Sequence, residues 1–196
     1  MILNVGWRTF YPRYTNSLKL ALYYAVGEAR LRGARKVSVD DLLLGLTHNS
    51  HAEDCPFRVL QDRAQEVRES LGRERLPNDW LIRVKSLAQN PLRPELPVKR
   101  VLRVALIEAK KDGQFWIDTD HLQRAILREG GKPAAALQSL GFTFEETERF
   151  GAQGRMKYPP KAPTLGTRIR QYKPAVPWLA FLVGFVGAIL YLHSQN

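Results

Sequence analysis

The sequence has little cysteine and no long low-complexity tract. Its 196 residues include a single cysteine, Cys55, which excludes a disulfide scaffold because a lone thiol has no partner within its own chain. A hydrophobic content of 44% with a mean hydropathy of −0.30 excludes a collagen, a wholly disordered chain and a multi-pass membrane protein. The length suits one globular domain with an appendage.

Acidic residues are absent from one segment. Residues 151–174 contain six Lys or Arg and no Asp or Glu, whereas residues 1–150 contain 24 basic and 19 acidic side chains. More than half of the net charge of +11 therefore lies in these 24 residues. Because the segment also contains four prolines and three glycines, we expect a flexible, self-repelling linker over 151–174.

Charge of either sign is absent from the segment that follows. Residues 175–192 are 18 uncharged and mostly apolar residues, and a helix of that length spans roughly 27 Å, close to the thickness of a bilayer core. Trp178 and Tyr191 would lie at the two interfaces. The pattern predicts one C-terminal transmembrane helix and a short tail at 193–196. The alternative is a buried C-terminal helix of the globular domain.

Flanking charge orients this predicted span. Six basic residues precede it and none follows it, so the positive-inside rule places the rest of the chain in the cytoplasm. Residues 1–13, an N-terminal extension, lack the apolar core of a signal peptide. We therefore expect a single-pass, tail-anchored membrane protein.

Two sets of residues are expected to act at the membrane. Three basic residues next to the span lie within reach of lipid head groups, and we favour this role over nucleic-acid binding because aromatic residues are few in the linker. They are Arg168, Arg170 and Lys173. Ala180, Gly184 and Ala188 form a small-residue stripe that would allow a homodimer, although small residues are common in membrane helices anyway.

Residues 14–150 contain an internal repeat. Aligning the chain with itself at an offset of 80 residues matches apolar, glycine and acidic positions without a gap. The matched pairs include Glu28 with Glu108, Gly33 with Gly113, Asp40 with Asp120 and Leu42 with Leu122. The alignment predicts a duplicated unit, with repeat 1 at 14–72, a connector at 73–94 and repeat 2 at 95–150.

Each repeat has the periodicity of four helices. Apolar residues recur every three or four positions from Leu18 to Ala29, and Gly33 ends the pattern. Ser38 and Thr119 are the predicted N-caps of the next helices. Shorter helices are expected at 57–61, 64–71, 134–140 and 144–149. The predicted fold is all-α, with about eight helices in a pseudo-twofold duplicated four-helix repeat, plus the transmembrane helix.

Four runs of residues, two in each repeat, carry a resemblance to a known family. They are Glu28-Ala29-Arg30 with the run at 39–46, and Glu108-Ala109 with Thr119-Asp120-His121-Leu122. Over residues 14–150 the chain resembles the Clp amino-terminal repeat domain, the substrate- and adaptor-binding module of Clp unfoldases. The resemblance implies a protein or peptide partner, including Clp machinery, its adaptors or its substrates.

The sequence departs from Clp unfoldases after this domain. The family places ATPase modules there, whereas this chain continues into the linker and the predicted span. The nearest approach to a P-loop, Gly-Gly-Lys-Pro at 130–133, lacks the glycine spacing and the Ser or Thr after the lysine. We therefore expect a stand-alone, membrane-anchored member without the AAA+ ATPase modules, which is not an enzyme.

The sequence predicts no catalytic, metal or cofactor site. His48, His51, Asp54 and Cys55 lie close together, but a second ligand pair is missing, and loop polarity explains them better than zinc. Nothing in the sequence orients Cys55 as a nucleophile, so a small buried or half-buried thiol is the expected state.

The resemblance also suggests ligand-binding residues. In some family members each repeat binds phosphorylated arginine through a threonine before the first helix and an acid at the start of the second. Thr15 and Asp40 match these positions in repeat 1. Asp120 matches the acid in repeat 2, where Glu95 replaces the threonine and would repel a phosphate. The alternative is that both Asp residues are first-turn acids favoured by the helix dipole.

A protein-binding surface is expected on exposed members of the matching helices, at Leu43, Leu44, Gln123 and Arg124. The resemblance implies apolar residues at all four, so the polar pair indicates an altered contact surface in repeat 2. We expect a membrane-tethered, non-catalytic binding module that presents clients or adaptors to a Clp chaperone-protease. The alternative is a structural or assembly subunit with a fixed membrane partner, unrelated to proteolysis.

Overall fold

The computed structural model describes residues 13–48, 60, 62–75, 87 and 92–157. They belong to the first of two units, Met1–Pro160 and Lys161–Asn196, into which the chain divides. The predicted span, the residues of its small stripe and the lipid-facing cations lie outside the described residues, as do most of the helix predicted at 57–61 and most of the connector.

The described part of the chain contains seven helices and two strands of two residues each. In chain order they are α1 (Asn16–Leu31), β1 (Lys36–Val37), α2 (Val39–Thr47), α3 (Ala64–Ser70), β2 (Arg93–Pro94), α4 (Leu96–Lys111), α5 (Thr119–Glu129), α6 (Gly131–Ser139) and α7 (Phe144–Lys157). The mostly helical architecture confirms the all-α prediction. Among the described residues, no helix combines the length and apolar character that crossing a bilayer requires.

Local sequence signals set the helix ends. Ser38, the predicted N-cap of α2, forms a capping box with Asp41, and Gly33 takes a positive φ of 71° just past the end of α1. The predicted cap of α5 is wrong by one residue. Asp118, which is extended at φ −111° and ψ 178°, caps α5 in a box closed by His121, while Thr119 is already helical.

Short parallel strand pairings connect repeat 1 with repeat 2 and with the end of the connector. Val37 pairs with Pro94 in the parallel pair formed by β1 and β2, and Tyr14 pairs with Ile117 in a parallel bridge. These two pairings are related by the 80-residue offset, and so are the hydrogen bonds from Glu95 N to Val37 O (2.9 Å) and from Thr15 N to Ile117 O (3.1 Å). The geometry therefore follows the duplication seen in the sequence. Strands this short have no alternating pattern that could predict them.

One apolar core joins both repeats. The helix α1 packs against α2, and α4 packs against α5, which also contacts α6 and α7. Fully or almost fully buried core residues from both repeats include Leu18, Leu22, Leu42, Leu46, Leu102, Ile117, Leu122 and Ile126. Because the helix pairs share this core and the strand pairings, the repeats depend on each other for burial.

The packing of α1 on α2 is closest at Gly45. A Cβ atom at this position would lie 2.2 Å from the carbonyl oxygen of Ala21 and 2.8 Å from the backbone nitrogen of Ala25. The matching position in repeat 2 is Ala125, which is buried. The packing of α1 on α2 therefore has no room for a methyl side chain at Gly45, whereas the packing of α4 on α5 accepts the methyl group of Ala125.

The last described helix is longer than the sequence predicts. A helix was expected over 144–149 with the linker starting at 151, but α7 continues to Lys157. Thr147 and Gly151 are buried on a helix that packs against α5. Tertiary packing therefore outweighs the low helix propensity of the glycines at 151 and 154, and the linker begins no earlier than residue 158.

Candidate functional site

The four residues predicted to form an exposed binding surface are buried. Leu43, Leu44 and Arg124 are 0% exposed and Gln123 is 1% exposed. The expectation that they are exposed is therefore wrong. Its physical reason is that α2 and α5 lie at the centre of the described unit, where α5 packs against α4, α6 and α7. A binding surface has to be sought on other residues.

Arg124 is the centre of a buried charge cluster in repeat 2. Its Nη2 atom lies 2.5 Å from Asp112 Oδ2 and 3.6 Å from Asp120 Oδ2, and its Nη1 atom lies 3.7 Å from Glu108 Oε2. Burial opposes the charge of the guanidinium, but its hydrogen bond to Asp112 and the charges of the surrounding carboxylates raise the pKa of Arg124. The guanidinium therefore stays charged in the core.

Asp120 is a member of this cluster. Its Oδ1 atom lies 3.2 Å from His121 Nδ1, and it is 6% exposed. It also lies in the first turn of α5, where the partial positive charge of the helix N-terminus favours an acid. The geometry fits the first-turn interpretation of Asp120, and its role as a ligand contact stays a prediction.

The structure does not bring Thr15 and Asp40 into contact. Thr15 Oγ1 accepts a hydrogen bond from Leu18 N (3.2 Å) and donates one to Asp118 Oδ1 (2.8 Å) across the repeats. Asp40 instead pairs with Arg73 Nη2 at 3.3 Å. Thr15 thus caps α1 and donates a hydrogen bond to Asp118 of repeat 2, whereas Asp40 forms an ion pair with Arg73 at the start of the connector.

Asp118 places a half-buried carboxyl group between the repeats. Burial raises the pKa of this carboxyl, and the charge of Asp120 raises it further, against the opposing hydrogen bonds from Thr119 and Thr15. Thr15 is therefore already hydrogen-bonded to a carboxyl group, whose negative charge disfavours a phosphate at this position.

Asp112, Asp120 and His121 each offer a ligand atom within 4.8 Å of one another, which is a spacing that could hold a metal ion. Arg124 already supplies positive charge there, through its contacts with both carboxylates. A guanidinium at this position repels a second cation. We therefore assign the three residues to the ion-pair cluster.

Repeat 1 has its own buried charge cluster around Glu28, which matches Glu108. Glu28 Oε1 lies 2.6 Å from His48 Nε2, and Glu28 Oε2 lies 2.7 Å from Arg68 Nη1. Because a carboxylate can only accept, Nε2 of His48 carries the proton. Burial lowers the pKa of His48, while the hydrogen bonds from His48 and Arg68 hold the pKa of Glu28 below its usual value despite burial.

His48 therefore belongs to the core of the domain. Its side chain is 1% exposed and its ring packs edge-on against Tyr24, with centroids 5.6 Å apart. Loop polarity, the sequence interpretation of this histidine, is wrong. His51, Asp54 and Cys55 lie outside the described residues.

Sequence reasoning missed a polar pair at matched positions of the two repeats, in which the acid changes sides. In repeat 1, Arg32 Nη2 lies 2.7 Å from Asp41 Oδ2. At the matching positions of repeat 2, Asp112 Oδ2 lies 3.2 Å from His121 Nε2. The carboxylate and its nitrogen-bearing partner exchange positions across the offset of 80 residues, and comparing polar positions in that alignment could have found the pair.

Together these features define a duplicated all-α domain, with a buried charge cluster at the matched glutamate of each repeat. The domain is homologous to the amino-terminal domain of Clp chaperones. Chaperone protein ClpC2 of rice (Oryza sativa subsp. japonica), named as chloroplastic, is 31% identical over 142 residues, which cover 68% of this chain and 14% of the relative. The chloroplastic ClpC1 of Arabidopsis thaliana is 30% identical over 142 residues, with the same two coverages.

The solved structures that resemble the chain show the same fold. The N-terminal domain of the caseinolytic protease associated chaperone ClpD from Arabidopsis thaliana matches with a TM-score of 0.54 at 17% identity, covering 73% of this chain and 97% of that one. A structure from work on a malarial protein secretion system matches with a TM-score of 0.53 at 16% identity, covering 75% and 97%. No protein-family model matches the chain.

The matches are confined to a small part of the curated relatives. The chain spans 14% of the length of rice ClpC2, and the shared part is the non-catalytic amino-terminal domain. The homology therefore concerns a domain that binds proteins and adaptors in Clp chaperones.

Proposed function

We propose that the chain is a non-catalytic module that binds a protein or peptide and is tethered to a membrane. The observation that carries the proposal is the homology of the described unit to the amino-terminal, substrate- and adaptor-binding domain of ClpC chaperones. The match in fold to the ClpD N-terminal domain supports it. In this role the domain presents clients or adaptors to a Clp chaperone-protease.

Binding by such a module needs no chemistry within the chain. The polar side chains at the two clusters are committed to ion pairs and helix caps, as the contacts of Arg124 and Glu28 illustrate. These pairs fix the relative positions of the helices, so a partner meets a preorganised surface. Free energy for unfolding a client would come from the Clp machinery that receives it.

The tether is supported by the sequence. Residues 175–192 form an uncharged apolar run behind a basic linker, which fits a single transmembrane helix with the binding domain on the cytoplasmic side. A tether raises the effective concentration of the domain next to partners in the same membrane. Clients at the bilayer surface would therefore be favoured over clients in bulk solution.

The experiment that tests the proposal is a crosslinked pull-down of the full chain from membranes, followed by mass spectrometry. Recovery of Clp subunits, or of a varied set of unfolded clients, is expected. Recovery of one stoichiometric membrane partner would contradict the proposal and support a structural or assembly subunit. A chain carrying Glu28→Gln, which loses the carboxylate between His48 and Arg68, serves as the control for binding that needs the folded domain.

A further inference from the structure

The outward face of α4 is basic. Its exposed side chains fall within a stripe of about 120° at 100° per residue. The members of this α4 stripe are Leu96, Lys99, Arg100, Arg103, Ile107, Lys110 and Lys111. The one acid of the helix, Glu108, is 1% exposed and faces Arg124 and Arg128. The stripe therefore offers five cations and no carboxylate to solvent.

Two apolar side chains lie among these cations. Leu96 is 70% exposed and Ile107 is 49% exposed. On an α-helix, eleven residues correspond to about 16 Å, so the two side chains mark opposite ends of one face. A single exposed aliphatic residue is ordinary, but a pair on one helical line with flanking cations has the pattern of a docking surface.

Three of the five cations have no carboxylate partner in the described ranges. Arg100 pairs with Glu129 at 2.8 Å and Lys111 pairs with Glu108 at 3.3 Å. Among the described residues, no carboxylate lies within ion-pairing distance of Lys99, Arg103 or Lys110. Within the part of the chain that the structure describes, these three cations repel one another without a carboxylate to offset the repulsion.

The stripe is specific to repeat 2. At the positions of α1 that match Arg100, Arg103 and Ile107, the sequence has Leu20, Tyr23 and Gly27. Those three residues are buried or half-buried. The helices α1 and α4 have similar residues on their buried faces but different residues on their outward faces. Duplication alone therefore does not explain the basic outward face of α4.

We propose that the α4 stripe binds an acidic helical segment of a partner protein. Leu96 and Ile107 would pack against apolar residues of that segment, and Arg103 with its neighbours would pair with its carboxylates, which guanidinium groups bind in a planar, bidentate way. A second copy of the chain is disfavoured because like charges would meet. A bilayer fits less well because only two apolar side chains are available for insertion. The inference rests on the proposed function, since it specifies the chemistry of the partner.

The test uses the full chain in phosphatidylcholine nanodiscs and a labelled peptide as long as α4, with leucines at every third or fourth position and glutamates between them. We expect the double variant Arg103→Glu, Ile107→Ser to weaken peptide binding about tenfold or more. Lys132→Glu, an exposed position on α6, should leave binding unchanged. A photo-crosslinker in place of Lys99 should attach to the peptide, and one in place of Ala135 on α6 should not.

Three outcomes would overturn the inference. The first is equal affinity of the acidic peptide for the wild type and for the double variant. The second is that the wild type binds a peptide with lysines in place of the glutamates as tightly as it binds the acidic peptide. The third is that the crosslinker at position 99 attaches to lipid in nanodiscs containing phosphatidylglycerol. The α4 inference and the proposed function can fail separately.

If the double variant still recovers the same proteins from membranes as the wild type, the α4 inference fails while the proposed function stands. If the wild type recovers no Clp subunit or client, the proposed function fails.

Discussion

At the scale of single residues, buried charge gathers around the two matched glutamates. Glu28 is 3% exposed and Glu108 is 1% exposed, and each faces cations from other helices. A buried ion pair contributes little net stability when both partners are present, but removal of one partner leaves an uncompensated charge. These residues are therefore positions where one substitution has a large effect.

Glu28→Gln should lower the free energy of unfolding by about 3–5 kcal/mol, because it leaves the Arg68 guanidinium without its carboxylate in the core. The side chain of Arg68 is only 5% exposed. Chemical denaturation followed by circular dichroism measures the change. Glu66→Gln is the matched control, since Glu66 pairs with Arg63 at the surface, and little or no change in stability is expected there. Similar losses for the two variants would refute the assignment.

His48 makes the stability of the domain sensitive to mild acid. Burial lowers its pKa in the folded protein, so below the ordinary histidine pKa of about 6.5 the unfolded chain binds more protons than the folded chain. Stability should therefore fall as pH drops from about 7 toward 5. In His48→Gln, whose amide can still donate to Glu28, this fall should be smaller. Thermal unfolding across the pH range tests it, and parallel pH profiles for both proteins would contradict it.

At the scale of secondary-structure elements, the close approach of α1 and α2 depends on Gly45. Gly45→Ala should destabilise the domain by about 1–3 kcal/mol through overpacking, although alanine is the better helix former. The Cβ atom would meet the backbone of α1, at Ala21 and Ala25. Urea unfolding measures the loss, and Gln138→Ala on the exposed face of α6 should stay within about 0.5 kcal/mol of wild type. An unchanged or raised midpoint for Gly45→Ala would show that α1 and α2 can separate without cost.

Sequence patterns predicted helices well where apolar periodicity and caps agree. The α1 helix ends just before Gly33, and the capping box of α2 forms between Ser38 and Asp41. Patterns failed where tertiary packing decides the outcome, as in the extension of α7 to Lys157. They also failed for Arg124 and His48, because a polar residue is read as exposed unless its partner is known, and the partners lie 12 and 20 positions away along the chain.

At the scale of the whole molecule, we propose that the chain combines a binding domain with a membrane tether. Deletion of residues 175–196 should move the protein from the membrane fraction to the soluble fraction, because the uncharged run would no longer enter the bilayer. Ultracentrifugation of cell extracts with immunodetection measures the shift. The full chain with Arg168, Arg170 and Lys173 changed to Gln is the companion variant, and it should remain sedimentable, since the cations set orientation and not insertion. Sedimentation of the deletion variant with membranes would show that the span is not the anchor.

The central claim is that the described domain carries the binding of protein partners. It is tested most directly by comparing crosslinked partners of the full chain with those of a chain that lacks residues 13–157 and keeps the linker and span. We predict that Clp subunits or unfolded clients are recovered with the full chain and are lost from the shortened one. Recovery of the same proteins by the linker and span alone would contradict the account.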